Sequence, residues 1–63
     1  MQVTKLVSTC ELGDCPTLYA TDRDTILVQG ATPADHGLAL PAHETVVEIP
    51  MELIRKAMND QLI

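Results

Sequence analysis

Polar and apolar side chains alternate along much of the first half of the chain. Residues 2–8 alternate β-branched, polar and aliphatic side chains, which is the period-two pattern of a β-strand. Residues 17–21 and 25–29 are rich in β-branched and aromatic types, and the polar sequence 22–24 between them is typical of a turn. The pattern predicts one strand followed by a β-hairpin.

The later pattern predicts a further strand and a helix. Residues 26–28 are an uninterrupted apolar run, which predicts that the second hairpin strand is central and covered on both faces. Residues 30–43 contain two prolines and two glycines, so we expect a connection there, with one helical turn over residues 33–36. Residues 44–49 alternate again, and Pro50 ends this predicted strand.

From Met51 to Ile63 the apolar residues recur at helical spacing, and Pro50 suits the first turn of a helix because its missing N–H is no loss there. Glu52 precedes Lys56 by four positions, the order that favours an ion pair on a helix. The predicted fold is α+β: one domain over residues 1–63, with a small antiparallel sheet or partly open barrel of about four strands and one C-terminal helix.

The size and composition of the chain predict that its hydrophobic core alone gives only marginal stability. A domain of 63 residues buries only about 60% of the surface of its unfolded chain. Tyr19 is its only aromatic residue, so the core must be aliphatic. A metal, a disulfide or a partner would supply the missing stability. We expect a self-associating protein, most simply a homodimer.

The net charge of the chain indicates which kind of partner it can bind. Nine acidic residues against four basic ones give a formal charge of −5, which repels a phosphate backbone and attracts a basic protein. The N-terminus lacks a basic region followed by an apolar segment, and no long apolar run occurs. We therefore expect a cytoplasmic protein that binds neither nucleic acid nor membrane directly.

Two cysteines and two histidines could hold a zinc ion: Cys10, Cys15, His36 and His43. Six residues separate the two histidines, more than the three to five that are typical of zinc sites, so a zinc-stabilised structural domain is the alternative rather than the first prediction. A disulfide across the short loop is sterically possible but disfavoured in a reducing cytoplasm. We expect two ordinary thiols and no cofactor.

Catalytic chemistry has no visible basis in the sequence. No acid, base and nucleophile form a recognisable set, and Ser8 is the only serine. We expect no catalytic residues and no enzymatic activity.

Two stretches resemble a known group of proteins. They are Cys-Pro-Thr-Leu-Tyr-Ala-Thr-Asp-Arg-Asp-Thr-Ile-Leu-Val-Gln-Gly at residues 15–30 and Glu-Thr-Val-Val-Glu-Ile-Pro-Met-Glu-Leu-Ile at residues 44–54, a little under half of the chain. Both are similar to very small, mostly uncharacterised actinobacterial proteins encoded beside helix-turn-helix regulators. A looser likeness extends to the accessory proteins of WhiJ-type regulators, although the aromatic residues of their C-terminal segment are absent here.

The resemblance implies a non-enzymatic accessory protein that binds and modulates a DNA-binding transcriptional regulator, in some cases in an antitoxin-like relationship. The acidic side chains would meet the basic regulator, and exposed apolar and helical residues would complete the contact. The candidate partner-binding residues are Tyr19, Asp22, Asp24, Glu44, Glu48, Glu52, Leu53, Ile54, Arg55 and Met58.

Overall fold

The structure is a computed structural model that describes residues 1–11 and 13–63. The described residues form strand β1 (Val3–Ser8), strand β2 (Thr17–Thr21), strand β3 (Ile26–Gln29) and helix α1 (Met51–Asn59). The strands make one antiparallel sheet in the order β1-β2-β3. The predicted α+β class with an open antiparallel sheet and a C-terminal helix is confirmed, with three strands in the described part of the chain.

The core lies between α1 and one face of the sheet, over β1 and β2. Val7 of β1 pairs with Leu18 of β2, and both side chains are buried on the face that the helix covers. The helix contributes Leu53 and Ala57, which are one turn apart and so point to the same side. A bulge between Lys5 and Val7 interrupts the pairing of β1 with β2. The core is thus small and entirely aliphatic, as the composition predicts.

The predicted central position of the second hairpin strand is wrong. The central strand is β2, and β3 lies at an edge of the sheet. The three apolar residues of β3 are all exposed: Ile26 by 43%, Leu27 by 39% and Val28 by 41%. Helix α1 packs mainly against β1 and so leaves β3 uncovered. An apolar run predicts that a strand needs cover but not which element provides it.

The predicted strand over residues 44–49 is also wrong, because this segment makes a single bridge to the sheet region. Glu48 and Ala31 exchange both backbone hydrogen bonds, with N···O distances of 2.7 and 3.2 Å. The segment crosses close to Gly30, where a Cβ atom would lie 2.5 Å from the carbonyl oxygen of Glu48. Only glycine allows this approach, and Pro50 then starts the turn into the helix.

The connection over residues 32–47 forms neither helix nor strand, so the helical turn predicted over residues 33–36 is wrong. Leu38 and Leu40 in this connection are 58% and 39% exposed, so they do not belong to the core. Pro33 and Pro41 have no backbone N–H, so this stretch cannot donate a continuous set of backbone hydrogen bonds.

Helix α1 ends at Asn59, four residues before the predicted end. Gln61 has a left-handed backbone with φ of 57°. Its N–H donates to the carbonyl of Met58, and the N–H of Leu62 donates to the carbonyl of Ala57. This is the hydrogen-bonding pattern of a Schellman C-cap, which usually has glycine at the left-handed position. Because glutamine occupies that position here, the sequence carried no stop signal.

Candidate interaction surfaces

The chain has nine acidic side chains, which give it its net negative charge. All nine are exposed. Among the described residues one ion contact is within 4.0 Å, between His43 Nε2 and Glu44 Oε2, and both side chains are largely exposed. Glu52 and Lys56 do not form the ion pair that their spacing favours. The carboxylates are therefore available to cationic groups of another molecule.

The predicted acidic residues lie at two ends of the sheet. Glu48 sits beside Ala31, just beyond the end of β3, and Glu52 follows in the first turn of α1. Asp22 and Asp24 occupy the turn between β2 and β3, at the opposite end of β3. A partner that contacts both groups would have to span the length of β3, so the two groups are separate candidate surfaces.

Helix α1 presents two different flanks beside its buried residues. Glu52, Lys56 and Asn59 line a shallow polar groove with Ser8 and Thr9 at the end of β1. Arg55 borders the same groove and is exposed, and its role in an interface stays a prediction.

On the other flank Ile54 and Met58 lie one turn apart and are 37% and 61% exposed. Leu53, by contrast, is 1% exposed and belongs to the core, so it contributes nothing to a contact surface in this structure.

Tyr19 lies on the sheet face opposite the helix and is half-buried. Its hydroxyl donates to Gln29 Oε1 at 2.9 Å, and the Gln29 side-chain amide donates to the carbonyl of Cys15 at 3.1 Å. The phenol therefore links β2 to β3 and to the cysteine loop. Tyr19 pairs with exposed Leu27 of β3, so the two residues stand side by side on this face of the sheet.

The loop between β1 and β2 is closed by a disulfide between Cys10 and Cys15, whose Cα atoms are 6.0 Å apart. The expectation of two thiols is wrong in this structure. Thr17, the one buried polar residue among those described, donates to the carbonyl of Cys15 at 2.7 Å and lies 3.0 Å from the Ser8 hydroxyl. Ser8 in turn accepts from the N–H of Cys10 at 3.4 Å.

The zinc hypothesis required both thiolates together with His36 and His43. The disulfide joins the two sulfur atoms instead, and the described residues contain no group of three potential metal ligands. His36 accepts a hydrogen bond at Nδ1 from the N–H of Leu38 at 2.9 Å, and His43 lies beside Glu44. Zinc binding would therefore require reduction of the disulfide and movement of the histidine-bearing connection.

Comparison of the chain with protein-family models, with curated proteins and with solved structures gives no match. Within the described residues, no helix has both the length and the apolar character needed to cross a bilayer. The likeness to small proteins encoded beside helix-turn-helix regulators therefore remains a prediction.

Two surface features were missed by sequence reasoning. The apolar run of β3 predicts a covered strand, whereas its three side chains are exposed in the structure. The expected reducing compartment favours free thiols over the disulfide, although the separation of five positions between Cys10 and Cys15 can be bridged.

Proposed function

We propose that the chain is a non-enzymatic protein-interaction module that binds a basic surface of a DNA-binding transcriptional regulator and modulates it. The supporting observation is the state of the carboxylates. All nine are exposed, and the ion contact between His43 and Glu44 is the one found among the described residues. Hardly any of this negative charge is balanced within the part of the fold that the structure describes.

Exposed, unpaired carboxylates lose little when a basic partner approaches. Apart from the contact of Glu44 with His43, they have no salt bridge to break among the described residues, and they can keep part of their hydration at the rim of an interface. The net charge of −5 also steers a cationic partner toward the chain and accelerates encounter at low ionic strength. The same charge repels nucleic acid, so the proposed partner is the regulator protein rather than its DNA.

The proposal also suggests how modulation works. The surface of a DNA-binding protein that contacts phosphates is rich in lysine and arginine. An acidic module that binds this surface competes with DNA for it, which is an antitoxin-like mode of action without catalysis. Glu48 and Glu52, with Glu44 nearby in sequence, form the first docking group in this proposal, and Asp22 and Asp24 form the second.

The test uses the immobilised chain to capture proteins from a native lysate at low salt, followed by identification of the captured proteins. We expect a helix-turn-helix regulator that is released as salt is raised, because exposed charge pairs are screened. Glu48→Lys combined with Glu52→Lys should reduce its capture at least about tenfold, since every 1.4 kcal/mol of lost binding is a factor of ten.

The matched control is Glu11→Lys combined with Asp35→Lys, which makes the same change in net charge at other exposed positions. This control should retain most of the binding. Equal loss in both double variants would show a response to net charge alone and contradict the assigned surface. Capture of no DNA-binding protein would refute the function itself.

The disulfide bears on where this function operates. A transcriptional regulator acts in the cytoplasm, where thiols are usually kept reduced. We therefore expect capture by the chain both with and without reductant, because Glu48 and Glu52 lie outside the loop that the disulfide closes.

A further inference from the structure

The chain exposes more surface than a compact monomer of its mass should. Its accessible surface is 5063 Å². A folded monomer of 6.8 kDa is expected to expose about 4,000 Å². The excess, about 1,100 Å², exceeds the roughly 800 Å² that each partner buries in a standard protein interface. The radius of gyration agrees, since it is 12.7 Å against about 10.6 Å for a compact chain of this length.

Exposed apolar residues occur along the whole chain, and β3 is the strand that carries three of them in succession, each about two-fifths exposed. Ile26 and Val28 lie on the helix side of the sheet, and Leu27 lies on the other side. No strand among the described residues pairs with the outer side of β3. This strand combines partly exposed apolar side chains on both faces with an open backbone edge, an arrangement that favours pairing with another strand.

The pairing of β3 with β2 determines which N–H and C=O groups of β3 face the open edge of the sheet. The N–H of Thr21 donates to the carbonyl of Thr25 at 3.0 Å, so this pair is hydrogen-bonded. Hydrogen-bonded and non-hydrogen-bonded pairs alternate along an antiparallel ladder. Leu27 therefore bonds back to Tyr19, whereas the backbone groups of Ile26 and Val28 point to the open edge. Ile26 and Val28 therefore present their N–H and C=O groups at the open edge, whereas those of Leu27 between them face β2.

We propose that β3 is the interface between two copies of this chain, paired antiparallel about a two-fold axis at Leu27. In this register Ile26 of each copy pairs with Val28 of the other. All the outward backbone groups of these two residues are then satisfied, by about four hydrogen bonds across the axis. Leu27 meets its own copy in the close, non-hydrogen-bonded position, with Cα atoms about 4.5 Å apart. The contact is isologous and closes as a dimer.

The same register continues the side-chain rows of each sheet into the other copy. On the face opposite the helix, Tyr19 stands beside Leu27, so the row becomes Tyr-Leu-Leu-Tyr across the axis. On the helix face, Val28 stands beside buried Leu18, so the row runs from Leu18 through Val28 to Ile26 of the other copy. Cross-strand apolar pairs of this kind are the main stabilising unit of a sheet.

Charge favours a second copy as the occupant of this edge. Strand β3 has no charged residue, although the chain carries a net charge of −5. In the proposed register Asp24 falls opposite Gly30 of the other copy, so the acidic turns do not face each other. A basic regulator would gain nothing from an uncharged edge and would bind the carboxylates at either end of the strand instead. The proposed dimer therefore does not depend on the function proposed above.

The test measures self-association of the purified chain alone by sedimentation equilibrium over a wide concentration range. We expect a dimer of twice 6.8 kDa whose stability changes little with salt, because the contact is uncharged. Leu27→Lys should raise the dimer dissociation constant at least about tenfold, since the two lysines meet across the axis. Leu27→Glu should do the same, and an equimolar mixture of the two variants should recover a heterodimer.

The matched control is Leu38→Lys, which places the same charge on an exposed leucine of the connection and should leave the dimer intact. Leu27→Thr is a milder variant that keeps a strand-forming residue and should weaken the dimer several-fold. Circular dichroism of each variant checks the fold.

A wild-type monomer at about 100 μM would overturn the proposal. So would a dimer that Leu27→Lys and Leu38→Lys affect equally, or charge variants that fail to recombine. Regulator capture is a separate measurement and can succeed or fail whatever the result.

Discussion

Removal of the disulfide should measurably destabilise the monomeric fold. Cys10 and Cys15 are five positions apart, so the bond closes a short loop in the unfolded chain. The chain-entropy relation for a loop of this length gives about 2 kcal/mol at 25 °C. A domain of this size is expected to have a total stability of only about 3–9 kcal/mol. We expect Cys10→Ser combined with Cys15→Ser to lower the melting temperature by about 15 °C.

The assay is thermal and urea unfolding followed by circular dichroism, at a fixed protein concentration so that self-association does not contribute differently. Reduction of the wild-type chain should reproduce the loss, and the double serine variant should not respond to reductant. A loss well below about 0.5 kcal/mol would refute the reasoning. It would mean that the hydrogen bonds of Ser8 and Thr17 to the loop hold its ends together without the covalent bond.

Two further substitutions test the packing and the helix end. Leu53→Ala should lower the free energy of unfolding by about 2–5 kcal/mol, because this side chain is 1% exposed in a very small core. Ile54 is exposed, so Ile54→Ala should lower it by under about 1 kcal/mol. Urea unfolding compares the two variants. Gln61→Gly should raise the free energy of unfolding by about 1 kcal/mol, because glycine accepts the left-handed backbone at this position without strain. Gln61→Ala should give no gain. A gain with alanine would contradict the assigned cap.

The elements defined by local chemistry were predictable from the sequence. Residues 2–8 and 17–29 carry alternation and a polar turn, and the structure places β1, β2 and β3 within them. The helix begins at Met51, directly after the proline that predicted its start. In each case the signal lies in the residues of the element itself, so it does not depend on what the element contacts.

The errors concern positions that depend on tertiary contacts. Residues 44–49 alternate as a strand should, but a strand also needs a neighbour, and only Glu48 has one. The last residues continue the apolar spacing of the helix, but Gln61 reverses the backbone so that Leu62 and Ile63 lie near Ile26 and Ala20. The acidic surface was predictable from charge alone, whereas the burial of Leu53 rather than Ile54 depends on which side of the helix faces the sheet.

The error at β3 follows from a sound premise. An apolar run of three residues predicts a strand with cover on both faces and neighbours on both edges, which is the environment of a central strand. Within one chain, β3 has only β2 beside it among the described residues. The helix packs near β1, at the opposite edge of the sheet.

In the proposed dimer the two copies of β3 become the central strands of one continuous sheet, so the composition of the strand fits the dimer better than the monomer. The Leu27→Lys and Leu27→Glu variants and their mixture therefore also test whether the missing neighbour of β3 is a second copy of the chain.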